Sequence, residues 1–562
     1  MNHHLSLRSK LIIMISVMAS MFLVALDQTI IATALGRIVE DFNAFDSLSW
    51  IVTAYLLTTT ITVPIAGKLS DLFGRRILLL IGVAIFAAGS LLSGIAGNVD
   101  YLIFARAFQG IGGGIITANA FTIIGDLFAA RERGKWQGMI GAVFGISSIV
   151  GPLLGGWLTD GHGIFGVTTD WRWTFFINVP IAIAAFALIA IFCPPLKHDK
   201  KPRVDYVGAL LLTLGLGTLV LAVDNTESIF KSFLDSSGWS LDGLRVLMFG
   251  VVAAATAAFV WVEHRAKEPI LPLTFFKNRN FTLIMGVATL FGAAFMGSIL
   301  YLTQFNQQVF GATPTESGLM LLPMIAGLVT TSIGSGQIIS RTGRYKIFMQ
   351  IGIVLATSMV ALLTTLTPES SYVYEAVIMV FLGAGLGVVM PVMNLAVQNE
   401  FTQADLGAAT SSSQLFRSLG QTIGVAIFGA LLTTGVTNGL GNIKQDAYVQ
   451  TLSKSAQVSK IGSLDDTNTL LNLNMPSTKK AITTGFEQGV STLPAPVKEK
   501  VTKQFLDNQS AYSSKVTHAF SESLRDIFLA ATGLMGAAAI LVFMTKEKML
   551  RSANPNDTPG EA

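Results

Sequence analysis

The sequence predicts an all-α integral membrane protein with about fourteen spans. Three observations carry that expectation. Hydrophobic residues make up 51% of the 562 and charged residues only 13%, where a soluble protein carries about a quarter. The apolar residues gather into runs of roughly 20, the length a helix needs to cross the hydrocarbon core. Lys and Arg cluster in alternate links between those runs. Mean hydropathy is accordingly high, at +0.59. Ten-residue segments of alternating polarity, the mark of a membrane barrel, are missing from the sequence.

Taken in order, the runs predict helices over 11–35, 49–68, 77–97, 101–125, 136–158, 173–193, 205–223, 244–263, 281–307, 316–339, 347–366, 373–397, 408–434 and 524–544. Basic MNHHLSLRSK before the first run has the look of a secretory leader. The run behind it is too long for one and contains a charge, so an uncleaved helix is expected. About twenty Lys and Arg lie on one side, including Arg75, Arg76, Arg131, Arg133, Lys135, Arg341, Arg344 and Lys346. The short opposite links hold Arg37, Arg172, Lys231 and Arg245. The positive-inside rule then puts both termini in the cytoplasm and calls for an even number of spans, in a cell (inner or plasma) membrane. The link near Glu400–Asp405 has neither Lys nor Arg, and its side follows from the count alone.

The net charge of +4 is small and set against lipid head groups, so no nucleic-acid partner is expected. The single cysteine, Cys193, leaves no disulfide framework or thiolate metal site, and no metal is expected. Residues 435–522 form one long polar link on the outer side. Its second half reads as helix that could prolong the last span outward. Its first half, with "GNIKQDAYVQTLSK" and "DDTNTLLNLNMP", reads as a hairpin or mobile loop, and a tolerated surface insertion is the alternative.

The link after the second span, "GKLSDLFGRRILLL", has a weak echo after the tenth, "GQIISRTGRYKIFM". Each shows two glycines seven residues apart and then basic residues; Asp71 of the first gives way to Ile339 or Ser340 in the second. Duplicated halves of this kind are common in secondary transporters. "GKLSDLFGRR" resembles the signature between helices 2 and 3 of the major facilitator superfamily, through Gly67, Leu69, Asp71, Gly74, Arg75 and Arg76; Leu72 departs where a basic residue is usual. "LIFARAFQGIGGG" is similar to its helix-4 signature, with Arg106, Gln109, Gly110 and Gly112 in register. "GAVFGISSIVGPLLGG" resembles the helix-5 signature of its antiporters, through Gly141, Gly145, Gly151, Pro152, Gly155 and Gly156. "LDQTIIATAL", "WRWTFFINVP" and "YLTQFNQQVFGATPTESGLMLLP" look like the fourteen-helix drug:proton antiporter branch. The resemblance covers all but the 435–522 link.

That resemblance implies the major facilitator fold, with two pseudo-symmetric six-helix bundles over 1–195 and 271–562, the latter including outer loop 435–522. Residues 196–270 would link them and supply two additional membrane helices. It also implies proton-coupled antiport by alternating access, exporting lipophilic drugs or toxic compounds. A monomer driven by the proton gradient, with no cofactor, is expected. Export of an endogenous lipid or metabolite, with the long outer loop aiding release, is the alternative. An enzyme would need a convergent catalytic set or an H-E-x-x-H pair, and a primary pump a phosphate loop; "GKLSD" lacks that loop's first glycine and its Ser/Thr.

The residues support a mechanism of their own. In "FLVALDQTIIATAL", Asp27 lies about 24 Å along a helix starting near Leu11, at 1.5 Å per residue. A charge at that depth is costly and faces a cavity or a partner. Burial also disfavours the charged form of a carboxyl group, so Asp27 is the expected proton carrier, with Arg106 or Arg417 neutralising it. A permanent structural ion pair is the competing expectation. The helix-5 glycines allow close approach of a neighbour, and Pro152 leaves a carbonyl unbonded. By the resemblance, they form a seam between the halves. Asp71, facing a helix's positive end, with Gly74 and with Arg75 bridging to Asp126, is expected to latch the inner side. Cargo is expected at the midplane between the halves, against Gln28, Thr33, Tyr55, Asn119, Gln304, Gln307, Gln308, Met324 and Asn394. No acid lies well inside a second-half span, which points to neutral, anionic or singly charged cargo.

Overall fold

The structure is a computed structural model that describes residues 6–550 except 43–47, 160, 165–166, 194–203, 224–225, 313, 403–404, 441–445, 454–469, 472, 475 and 492–493. Fourteen helices are long and apolar enough to span a membrane. They are α1 (Leu7–Phe42), α2 (Leu48–Phe73), α3 (Arg75–Gly94), α4 (Val99–Leu127), α5 (Ala130–Thr159), α6 (Trp173–Phe192), α7 (Tyr206–Val223) and α8 (Leu241–Arg265). Then follow α9 (Arg279–Gln308), α10 (Leu322–Thr342), α11 (Lys346–Leu363), α12 (Tyr372–Glu400), α13 (Leu406–Leu440) and α14 (Ala495–Met544). A two-residue antiparallel ladder, Gly163–Ile164 with Val167–Thr168, is the one sheet among the described residues.

Local chemistry sets the helix boundaries. Side-chain oxygens of Asn98, Ser240, Asn278 and Ser371 accept from backbone N–H groups of the first turns of α4, α8, α9 and α12, occupying donors that have no partner within a helix. Gly74, at φ 98°, makes the sharp break between α2 and α3, and Gly343, at φ 72°, ends α10; side chains other than glycine resist that region. The tenth span begins later than its apolar run suggests, at Leu322, because a short separate helix, Pro314–Met320, precedes it.

One apolar core joins α1, α3, α4, α5 and α6 through residues such as Val24, Phe86, Ile116, Ile140 and Ile189. The largest joins α9 to α14, through Phe291, Ile353, Leu386, Phe428 and Ile527 among others. The paired helices α7 and α8 bring Leu212, Leu216 and Phe259 against Leu415 of α13 and Ile61 and Ile65 of α2. Their other faces expose Val207, Leu210, Leu214, Val246 and Phe249, as helices bathed in lipid should.

The last helix runs 50 residues, about 75 Å at 1.5 Å per residue, so the expected outward extension is present. Most of the stretch read as a hairpin or mobile loop lies outside the described residues. What is described there packs closely. Phe486 stacks on Phe505 at 3.9 Å between ring centroids, and Tyr512 Oη donates to Leu470 O at 2.9 Å. Asn474 Nδ2 donates to Gln308 Oε1 at 3.1 Å, docking this segment on the end of α9. At the other side of the molecule Cys193, directly after α6, is 2% exposed in the first core. A maleimide is therefore expected to label Cys193 only after denaturation; fast labelling of the folded protein in detergent would show that this helix end does not pack as described.

Candidate transport site

Asp27 of α1 is fully buried and is met from three sides. Arg106 Nη1 of α4 donates to Asp27 Oδ2 at 2.6 Å. Gln109 Nε2, one turn further along α4, donates to Oδ1 at 2.9 Å while its Oε1 accepts from Arg106 Nη1 at 2.8 Å, closing a ring. Asn178 Nδ2 of α6 donates to the same Oδ1 at 3.2 Å and to Ser90 Oγ of α3 at 3.1 Å. The Arg106 guanidinium lies 4.3 Å from the Tyr55 ring centroid, within cation–π range. Small residues make this convergence possible. A Cβ at Gly113 would stand 2.8 Å from Tyr55 Oη, and one at Gly89 would stand 2.6 Å from Gln109 Cα.

The two halves are joined by two seams on the face carrying the Lys/Arg-rich links. On α5, Gly134, Gly138, Gly141 and Gly145 recur at helical spacing and lie against α10. A Cβ at Gly134 would stand 3.2 Å from Gly336 O, at Gly141 2.6 Å from Ser332 Oγ, and at Gly145 2.6 Å from Val329 Cγ2. Gly138 abuts the Ser332 carbonyl, and Ser332 Oγ donates back to Gly138 O at 3.0 Å. On α2, Gly67 abuts Ser411 of α13. The internal echo thus has a structural meaning: Gly67 and Gly336 each make a seam, and Gly74 and Gly343 each make the turn that follows.

The Asp71 side additionally carries a buried ion-pair cluster. Arg75 pairs with Asp71 and donates from Nε to Asp126 Oδ2 at 2.8 Å. Asp71 in turn accepts from the backbone N–H groups of Gly407, at 3.2 Å, and Ala408, at 2.9 Å. Its carboxylate therefore caps the positive end of α13 across the interface. Deeper in, Gln398 of α12 ties four helices together: it accepts from Gln137 Nε2 at 2.9 Å and donates to Phe121 O at 3.0 Å and Thr410 Oγ1 at 3.3 Å.

Several expectations change. Of the two candidate partners for Asp27 the structure brings Arg106 and not Arg417, which sits on α13 with its stem passing Gly292 of α9. Gly151 packs on Thr29 of α1, inside the first half, and a Cβ on Gly156 would meet nothing within 4 Å. Those two therefore stand apart from the seam, while Gly155 is buried and Pro152 is half-buried. Gln308 is engaged in docking the 435–522 segment instead of facing cargo. Met324 is buried where α10 meets Gly383 of α12. Gln28 is exposed, Gln304 and Gln307 are half-buried, and the side chain of Thr33 lies outside the described residues. Asn119 and Asn394 are buried, each with an Oδ1 that has no hydrogen-bond partner. Glu375, near a helix end, is nonetheless fully buried; the Asn306 amide, in the orientation that satisfies both groups, donates to its two oxygens at 2.9 Å. Sequence reasoning missed Asn178, Gln137 and Gln414, and the Gly134–Gly138 half of the seam, although the spacing Gly134, Gly138, Gly141, Gly145 was open to view.

Among the described residues, fourteen membrane-spanning helices fall into two halves that meet along glycine seams, with a buried ion pair inside the first half. The chain belongs to the Major Facilitator Superfamily, whose sequence profile matches residues 17–425. It is 36% identical over 477 residues to the multidrug transporter protein MdtP of Bacillus subtilis, covering 84% of this chain and 85% of that one. It is 33% identical over 546 residues to multidrug resistance protein 3 of the same organism, covering 96% and 98%. Among solved structures, the proton:xylose symporter XylE shares the fold, with a TM-score of 0.55 at 14% identity over 96% of this chain and 97% of that one.

Because Gly138 has no room for a side chain, Gly138→Val is expected to cost about 1–3 kcal/mol through overpacking and to slow transport. Gly156→Ala, facing open space, is expected to stay within about 0.5 kcal/mol of the parent. Thermal unfolding in detergent, with transport assays alongside, checks both; a Gly138→Val protein matching the parent in stability and rate would remove the seam.

Proposed function

We propose that this protein is a proton-coupled antiporter that exports lipophilic compounds, in the manner of a multidrug efflux pump, by alternating access. It would sit in the cell membrane with both termini in the cytoplasm, as the distribution of Lys and Arg supports. Its relatives named as multidrug transporters support the cargo class. The observation that carries the coupling is the Asp27–Arg106 pair, 1% exposed on both side chains.

The physical argument concerns the charge of that site. Ionised, Asp27 and Arg106 together are neutral, and the Gln109 and Asn178 amides complete the carboxylate's hydrogen bonds. A proton arriving from outside makes Asp27 a neutral acid and leaves the site with a net charge of about +1, costly in a low-dielectric interior. The helices holding Arg106 must then rearrange or admit water, favouring the opposite opening. Loss of the proton to the cytoplasm restores the pair. In this reading the Asp71–Arg75–Asp126 cluster and the α5–α10 seam, whose contacts are close, hold the basic side closed, and both must part when that side opens.

Asp27→Asn keeps the shape and one carbonyl acceptor but removes the titrating group. In proteoliposomes the variant is expected to remain folded and to lose pH-gradient-driven export by about tenfold or more, a loss of at least ~1.4 kcal/mol of coupling. Unchanged gradient-driven export would overturn the proposal. Arg106→Ala, which strands Asp27 without its cation, is expected to lose about 3–5 kcal/mol of stability, measured by thermal unfolding. Arg106→Ala together with Asp27→Asn is expected to recover part of that loss; no recovery would show that the two do not act as a pair.

A further inference from the structure

Arg417 is the unusual charge in this membrane domain. Three arginines of the spans are buried, and each finds acceptors: Arg106 meets Asp27, Arg75 meets Asp71 and Asp126, and Arg133 donates to Phe128 O at 3.0 Å and Gly125 O at 2.7 Å, whereas Arg417 is half-buried. Among the described residues, no carboxylate pairs with Arg417, and its buried Nε has no hydrogen-bond partner. A guanidinium inside a membrane is costly and calls for a partner. If the protein does not supply one, a ligand can.

Arg417 lies on the helix by which the second half meets the first. Thr410, Gln414 and Arg417 recur at i, i+4 and i+7 and so share one stripe of α13. Thr410 accepts from Gln398 of α12, which also reaches Phe121 O of α4, so the stripe starts where the two halves meet. Gln414 is buried with both its Nε2 and its Oε1 unpartnered. On α4 and α12, the two helices that Gln398 links at Thr410, Asn119 Oδ1 and Asn394 Oδ1 are buried and unpartnered as well. These are donors and acceptors awaiting a polar group. The cation on the same stripe as Gln414 sets that group's sign. Arg417 lies eleven residues into α13, about 17 Å from its start, which is too deep for the head group of a bilayer lipid.

We propose that Arg417, with Gln414 one turn away on the same stripe of α13, binds the carboxylate of a lipophilic acid, making amphiphilic anions a cargo class of this protein. The planar guanidinium suits a carboxylate bidentately, and the unpartnered Gln414 Nε2 can donate to a remaining lone pair. The proposal rests on the reading of the protein as an exporter, but its test does not need transport.

Binding is measured on the purified protein in detergent with a dansylated fatty acid and its methyl ester, which share everything but the charge. Wild type is expected to bind the acid more tightly than the ester. Arg417→Gln is expected to weaken the acid by about ten- to hundredfold, the range for a lost charged hydrogen bond, and to leave the ester unchanged. Arg417→Lys is expected to recover part of the difference, and Gln414→Ala to weaken the acid to a lesser degree. Phosphatidylglycerol is expected not to compete with the acid; competition would make a lipid head group the ligand and overturn the proposal. Equal binding of acid and ester by wild type, or equal losses for both in Arg417→Gln, would overturn it too. Should Arg417→Gln fail to fold, the wild-type acid-to-ester ratio and Arg417→Lys decide. If the acid binds as stated while Asp27→Asn leaves export intact, the coupling reading fails and this one stands. The converse pattern removes this one alone.

Discussion

The fold is organised around a charge that cannot be left alone. Asp27 sits in the membrane interior, and everything that touches its carboxylate comes from a different helix: Arg106 and Gln109 from α4, Asn178 from α6. A buried ion pair adds little net stability, because desolvation offsets the attraction. Removing either member, or its charge, is costly. The pair is therefore a poor staple; in the proposed antiport it serves as the switch, one proton changing which helix arrangement is tolerable.

Such a switch would need surfaces that can part and rejoin, and the glycine seams are closely packed surfaces of that kind. Contacts between α5 and α10 are made largely of backbone and small side chains, with Ser332 donating across to Gly138 O. Such contacts carry shape specificity with little apolar area to expose when they open. On the symmetry-related side, α2 and α13 rely on Asp71, whose carboxylate caps the α13 N-terminus while Arg75 holds it from behind. The halves are alike in backbone design and differ in charge, with Ile339 and Ser340 lying where Asp71 has its counterpart in the echo.

Much of this was legible from the residues. Fourteen apolar runs gave fourteen helices because the membrane imposes a length and a polarity that a sequence cannot disguise. Asp27 and the Asp71–Arg75–Asp126 cluster stood out for a related reason: charges in apolar runs or at fixed glycine spacings are expensive enough to need an explanation. Partners were harder to read. Arg106 and Arg417 looked equivalent on the page, since depth along a helix says nothing about which way a side chain turns; only the packing of α4 on α1, α2 and α3 separates them. Gln308 looked like a cargo ligand because the segment it docks is distant in sequence. Glu375 stands close to a helix start, and its neighbours along the chain give no sign of Asn306, the residue of a different helix that meets its carboxyl group. Amides such as Asn178, Gln137 and Gln414 send no signal of their own until the helices converge.

The central claim is that Asp27 changes protonation while folded. Infrared difference spectroscopy on purified protein carrying carbon-13 aspartate, stepped through pH, reads this directly, with Asp27→Asn identifying the band. The account predicts a carboxylic-acid stretch that grows as pH falls, vanishes as it rises, and is missing from the variant. A spectrum without any such band, at every pH where the protein stays folded, would mean that Asp27 remains ionised beside Arg106 and serves the structure alone.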